Sequence, residues 1–182
     1  MTRRFRSSAM RLSFALSMLV AIGAHAGGAT RLDQQDIDTL RSDIRAMTEG
    51  FARGDAEPVI VRTHPSLKTM VGGPEAFAAL TRNAIVQLRA TGIVFVSQEI
   101  GEPTQVYPAG DQEVCFVPRV SVMEMNGRQM RSVSYMVAIR VKGDAHWTYL
   151  DGAGLRKNPG MLHHLLPGLA RDVPLPPNTL EE

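Results

Sequence analysis

The chain has 182 residues, 44% of them hydrophobic, 21% charged and 5% aromatic, a composition that excludes a collagen-like, coiled-coil or wholly disordered protein. Its formal charge of +2 is concentrated at one end: Arg3, Arg4, Arg6 and Arg11 lie in the first 26 residues, which hold no acid, so beyond them 16 basic side chains face 18 acidic ones and the balance is −2. A net-negative body without interleaved aromatic and basic residues argues against nucleic-acid binding.

In chain order, residues 1–11 are positively charged, Leu12 to Ile22 are apolar, and Ala24-His25-Ala26 is a small-x-small triplet. This pattern predicts a signal peptide over residues 1–26, cleaved near Ala26. The apolar run is about half of the roughly 20 residues that a spanning helix needs, so no membrane anchor is expected after cleavage. The expected product is a soluble periplasmic or secreted chain. Cys115 is the sole cysteine and allows no internal disulfide; within Val114-Cys115-Phe116-Val117 it reads as a buried hydrophobe.

From Asp33 to Arg53, Ile37, Leu40, Ile44, Met47 and Phe51 recur at intervals of three and four, the stripe of an amphipathic helix that Gly54 closes. Pro58 suits the first turn of a short helix that Pro65 stops, and Leu67 to Val71 reads as a short strand. Pro74-Glu75 opens a second long helix with Phe77, Leu80, Ala84, Ile85 and Leu88 on one face and Gly92 after its end. The apolar period then becomes two. Strands are expected at Ile93–Ser97, Gln105–Tyr107, Glu113–Met125, Gln129–Val141 and Ala145–Leu150, with Asn126-Gly127 as a type I′ turn. One face of the Gln129–Val141 strand, with Val133, Tyr135, Val137, Ile139 and Val141, is expected to be core; the other, with Ser132, Ser134, Met136, Ala138 and Arg140, is expected to be wetter. Met161–Leu166 can form a short helix. The expected organisation is one α+β domain over residues 27–158, with a Pro-rich tail, 159–182, packed on it.

This order of elements resembles the nuclear-transport-factor-2-like cone fold of the ketosteroid isomerases and SnoaL-type cyclases. The resemblance rests on Phe51-Ala52-Arg53-Gly54-Asp55-Ala56, Gly72-Gly73-Pro74-Glu75-Ala76-Phe77 and Trp147-Thr148-Tyr149-Leu150-Asp151-Gly152, and spans residues 33–152. It implies helices packed on a curved antiparallel sheet around a conical pocket, with dimerisation through the sheet common among such proteins. The pocket serves catalysis in some members and binding alone in others.

Proton-transfer chemistry would need a carboxyl in a dry site beside a Tyr or His. The candidate catalytic residues are Asp151, Glu113, Tyr135 and His146; Glu113 at a strand start and Asp151 at a turn are also usual places for solvated charge. Met123, Met136, Tyr135 and Trp147 are the candidate ligand-binding side chains, with Met adapting to varied apolar surfaces. Arg119 and Arg140 share the sheet and could meet an acidic ligand or Glu124. No HExxH or cysteine set is present, so neither metal nor cofactor is expected. No serine sits in a nucleophile elbow. The sequence favours non-catalytic binding of a small apolar or amphipathic ligand, or of an envelope protein. The alternatives are an isomerase-, cyclase- or hydratase-like enzyme and a structural role in the envelope.

Overall fold

A computed structural model describes residues 31–181; the expected leader over residues 1–26 lies outside them. The chain is α+β, with helices first and then a curved, open antiparallel sheet. Among the described residues no helix is long and apolar enough to cross a membrane.

Helix α1, Gln34–Arg53, starts where the Asp33 carboxylate accepts from the Asp36 N–H and ends at Gly54, whose φ of 90° is the left-handed value that glycine adopts without strain. Leu40, Ile44 and Met47 are buried along one face. Helix α2, Glu57–Arg62, is followed by helix α3, Pro65–Met70, over the residues expected to form a strand. Pro65 opens this helix instead of only ending the previous one, because its fixed φ suits the first turn. The His64 ring caps α3 by accepting from the Ser66 N–H. Helix α4, Pro74–Ala90, buries only Ile85. The expected core face is therefore divided: Leu80 is 55% exposed, whereas Phe77 and Leu88 face a cavity.

The sheet comprises β1 (Val94–Ile100), β2 (Tyr107–Ala109), β3 (Gln112–Met125), β4 (Arg128–Val141), β5 (Thr148–Asp151) and β6 (Thr179–Glu181). Strands β1 and β2 both flank β3, and β5 and β6 both flank β4. A hairpin of two 14-residue strands forms the centre, turning at Asn126 (φ 54°) and Gly127 (φ 75°). Strand β6 was not legible in the sequence.

Both faces of the central hairpin are buried over much of its length, not one, while Val141, expected in the core, is exposed at the end of β4. On the first face Val114, Phe116, Tyr135, Val137, Ile139 and Leu150 pack with Leu155, Leu162, Leu165, Leu166 and Leu169; Val173 and Leu175 extend that layer. This cover comes from a 3₁₀ turn at Gly152–Leu155, helix α5 at Met161–Leu165, and the proline-rich segment after it. On the second face Cys115, Val117, Met136, Ala138 and Tyr149 pack against Leu40, Ile44 and Met47 of α1. Gly152 sits where a Cβ would lie 2.6 Å from the Tyr135 carbonyl oxygen, so only glycine allows the 3₁₀ turn to approach β4 so closely.

These placements separate two leucines by energy. Leu162, fully buried against the first face, is expected to cost about 2–5 kcal/mol when replaced by Ala, and Leu80→Ala within about 0.5 kcal/mol. Urea unfolding of the two variants measures the difference.

Candidate functional site

Side chains alternate along β3 and β4, and cross-strand partners share a face. The pairs Val117–Met136, Arg119–Ser134, Ser121–Ser132 and Met123–Met130 therefore run in order along the second face. Helix α1 covers Val117 and Met136. Beyond that cover the face opens into a cavity of about 930 Å³ between the sheet, α1 and α4. This exceeds the volume needed by a drug-sized molecule and lies near the upper end of common ligand pockets.

The cavity has two kinds of surface. Its helix side carries the apolar Met47, Phe51 and Ala52 from α1, Phe77 and Leu88 from α4 and Phe95 from β1, together with Arg41, Arg45, Thr48 and Glu49 of α1. Phe51, expected to be core, instead meets Phe95 edge-on, with ring centroids 5.9 Å apart. The sheet side is a polar band with methionine at its two ends: Arg119, Ser121, Ser132, Gln98 and Asp151, with Met136 and Met123 bounding them. Arg119, with a side chain 10% exposed, donates through Nη2 to both Asp151 carboxylate oxygens, at 2.8 and 3.0 Å, and more weakly to Ser134 Oγ. Asp151 also accepts from the Ala153 N–H at 2.9 Å, which caps the 3₁₀ turn. Ser132 Oγ accepts from Arg156 Nη2 at 2.9 Å, and Ser121 Oγ from Gln98 Nε2 at 3.4 Å.

Of the residues singled out from the sequence, Met123, Met136, Asp151 and Arg119 meet at this cavity. The others do not. Tyr135 lies on the opposite face, edge-on to Phe116, because its odd position on β4 points away from α1; burial pushes its phenol above the ordinary tyrosine value. Glu113 accepts from Arg140 Nε at 3.0 Å, at the covered end of the second face. Trp147 is buried beside it, with Arg140 stacked 4.4 Å from the ring centroid and its Nε1 donating to Asp36. The His146 side chain is 91% exposed and touches only Asp144. Arg119 pairs with Asp151, and Arg140 with Asp36 and Glu113, rather than with Glu124.

Ser121, Ser132 and Gln98 were missed as binding residues; the serine-rich, wetter face of β4 was the available signal. Tyr149 also lines the cavity, but its hydroxyl donates to Asp43 Oδ2 at 2.9 Å. Burial, with the Asp43 charge next, holds that phenol far above its usual range. The Cys115 thiol is pushed up to about 12 by burial and is unreactive at neutral pH. Among the described residues no three His, Cys, Asp or Glu side chains converge as a metal site. Comparison of the chain with family models, curated proteins and solved structures finds no match.

The remaining buried histidine is structural. Ser66 N–H donates to His64 Nδ1 at 3.2 Å, Ser66 Oγ lies 2.7 Å from the same nitrogen, and Nε2 lies 3.1 Å from Gln112 Nε2. Burial, then the Lys68 charge, lowers the His64 pKa from its ordinary 6.5. The unfolded chain thus takes up this proton at higher pH than the native state. The contribution to stability is complete above about 6.5 and declines as pH falls towards the lowered native value. His64→Asn, which keeps a capping side chain, is expected to flatten that part of the curve in chemical denaturation at pH 5 to 8.

Proposed function

We propose that this protein is an exported carrier of the nuclear-transport-factor-2-like cone type, which holds a small apolar or amphipathic molecule in the cavity without chemically changing it. The observation that carries this reading is the cavity itself: about 930 Å³ with a mainly apolar surface of phenylalanine, leucine and methionine side chains, and polar groups from the sheet and from α1. Apolar walls with sparse, convergent polar groups are the usual make-up of a small-molecule site. The helices-then-sheet order and the position of the opening between them support the cone reading. The arginine-rich leader pattern and small-x-small triplet support export to the periplasm or beyond.

Carriage has more support than proton transfer. A carboxyl that moves a proton works best desolvated and poised near neutrality. Asp151 is instead half-exposed, bound to a guanidinium and committed to a turn N–H. Glu49, the other cavity carboxylate, is also largely exposed and lies 3.6 Å from Arg53.

Nile red, a neutral apolar dye, tests this directly. The protein is expected to bind it saturably at one site, with a blue-shifted emission. Ala52→Trp places an indole from an exposed helical position into the cavity and is expected to weaken binding at least tenfold. The absence of saturable dye binding by the unaltered protein would overturn the proposal.

A further inference from the structure

The polar band on the sheet carries three hydrogen-bond donors with capacity to spare, beside the acceptors Asp151 and Gln98. Ser121 and Ser132, each 6% exposed, accept a hydrogen bond from Gln98 and Arg156 respectively, and each keeps its hydroxyl proton to donate. Arg119 uses Nε and Nη2 on Ser134 and Asp151; among the described residues its Nη1 has no partner, and the side chain lines the cavity. Three donors of this kind lie on adjacent cross-strand positions of β3 and β4.

Charge points the same way. The cavity carboxylates Asp151 and Glu49 are each paired with an arginine, as is Arg41 with Glu102. Arg156, directly behind Ser132, reaches Asn178 Oδ1 and Ser132 Oγ, and no carboxylate among the described residues lies within ion-pairing distance. Arg45 lines the cavity and is likewise without a carboxylate partner among the described residues. The site thus combines free donors with an excess of positive charge, beside apolar side chains of α1 and α4.

We infer that the cavity selects a single-chain carboxylic acid, a free fatty acid in class, with its carboxylate on Arg119 Nη1, Ser121 and Ser132 and its chain against Met47, Phe77 and Leu88. This rests on reading the cavity as a ligand site. A carboxylate accepts from all three donors through charge-assisted hydrogen bonds and answers the excess positive charge, whereas an alcohol of equal length makes only neutral ones.

Displacement of Nile red by dodecanoate and by 1-dodecanol, from delipidated protein at pH 8, separates the two ideas. Dodecanoate is expected to bind at least tenfold more tightly than the alcohol, about the effect of one charge-assisted hydrogen bond. Ser121→Ala with Ser132→Ala is expected to weaken the acid about tenfold and leave the alcohol within about twofold. Equal affinity of acid and alcohol for the unaltered protein would overturn the inference while leaving the carrier proposal in place. Failure of the dye and both competitors to bind would overturn the carrier proposal and this inference with it. Should the double variant fail to fold, the acid-to-alcohol ratio of the unaltered protein still decides.

Discussion

The position of α1 across the sheet is the constraint on which the rest of the molecule depends, and two polar anchors set it. Near its start, Arg140 donates to Asp36 at 2.8 Å and to Glu113 at 3.0 Å while stacking on Trp147, whose indole N–H also reaches Asp36. Two turns further on, Asp43 accepts from Arg62 Nε and from the Tyr149 hydroxyl, both at 2.9 Å. Largely buried charges are costly unless paired, so sliding or rotating the helix would strand them. Both anchors lie in the first half of α1. The second half, from Met47 to Ala52, has no comparable tie to the sheet and stands over open volume instead. The cavity is what remains when a helix is fastened to a sheet at one end only.

Such an opening costs packing on the second face, and the first face supplies it. Val114, Phe116, Val137 and Ile139 are completely buried under residues from the C-terminal third of the chain. A sheet covered on both faces tolerates a partly uncovered stretch better than a sheet with a single apolar side, because its hairpin is already held by the opposite layer. The division is visible residue by residue along β4: Tyr135, Val137 and Ile139 serve stability, while Ser132 and Met136, facing the other way, line the site.

Local signals in the sequence identified α1, α4 and the Asn126-Gly127 hairpin, because periodicity, proline and glycine act over a few residues. What they left out depends on distant partners. Leu67 to Val71 carries no period that separates a strand from one and a half helical turns, and the cap contributed by the His64 ring is invisible without its geometry. Strand β6 exists because β4 leaves a free edge near Arg131 to Val133, some 50 residues earlier in the chain. The site was partly legible: Met123, Met136 and Asp151 stood out by type and strand position. Tyr135 and Trp147 looked equally suitable, yet the face of β4 and the reach of α1 exclude them. Ser121 and Ser132 carry no motif at all; only their pairing across two long strands makes them neighbours.

The polar side of the cavity is also tied to parts of the chain that never touch the opening. Asp151 holds Arg119 and at the same time caps the turn that begins at Gly152, which abuts the Tyr135 backbone and ring. The carbonyl of Gly152 accepts from Asn178 Nδ2 at 2.6 Å, and Asn178 in turn receives Arg156, the residue that orients Ser132. Arg119 and Ser132 are therefore positioned from behind, through the first-face core and the C-terminal segment, while α1 and α4 supply only the walls. Groups held in this way keep their direction whether the cavity contains water or an apolar chain, which lowers the ordering cost of binding. The proline-rich segment thus has a part beyond covering hydrophobic surface: with Asn178 at its end, it braces the donor side of the site against the rigid half of the protein.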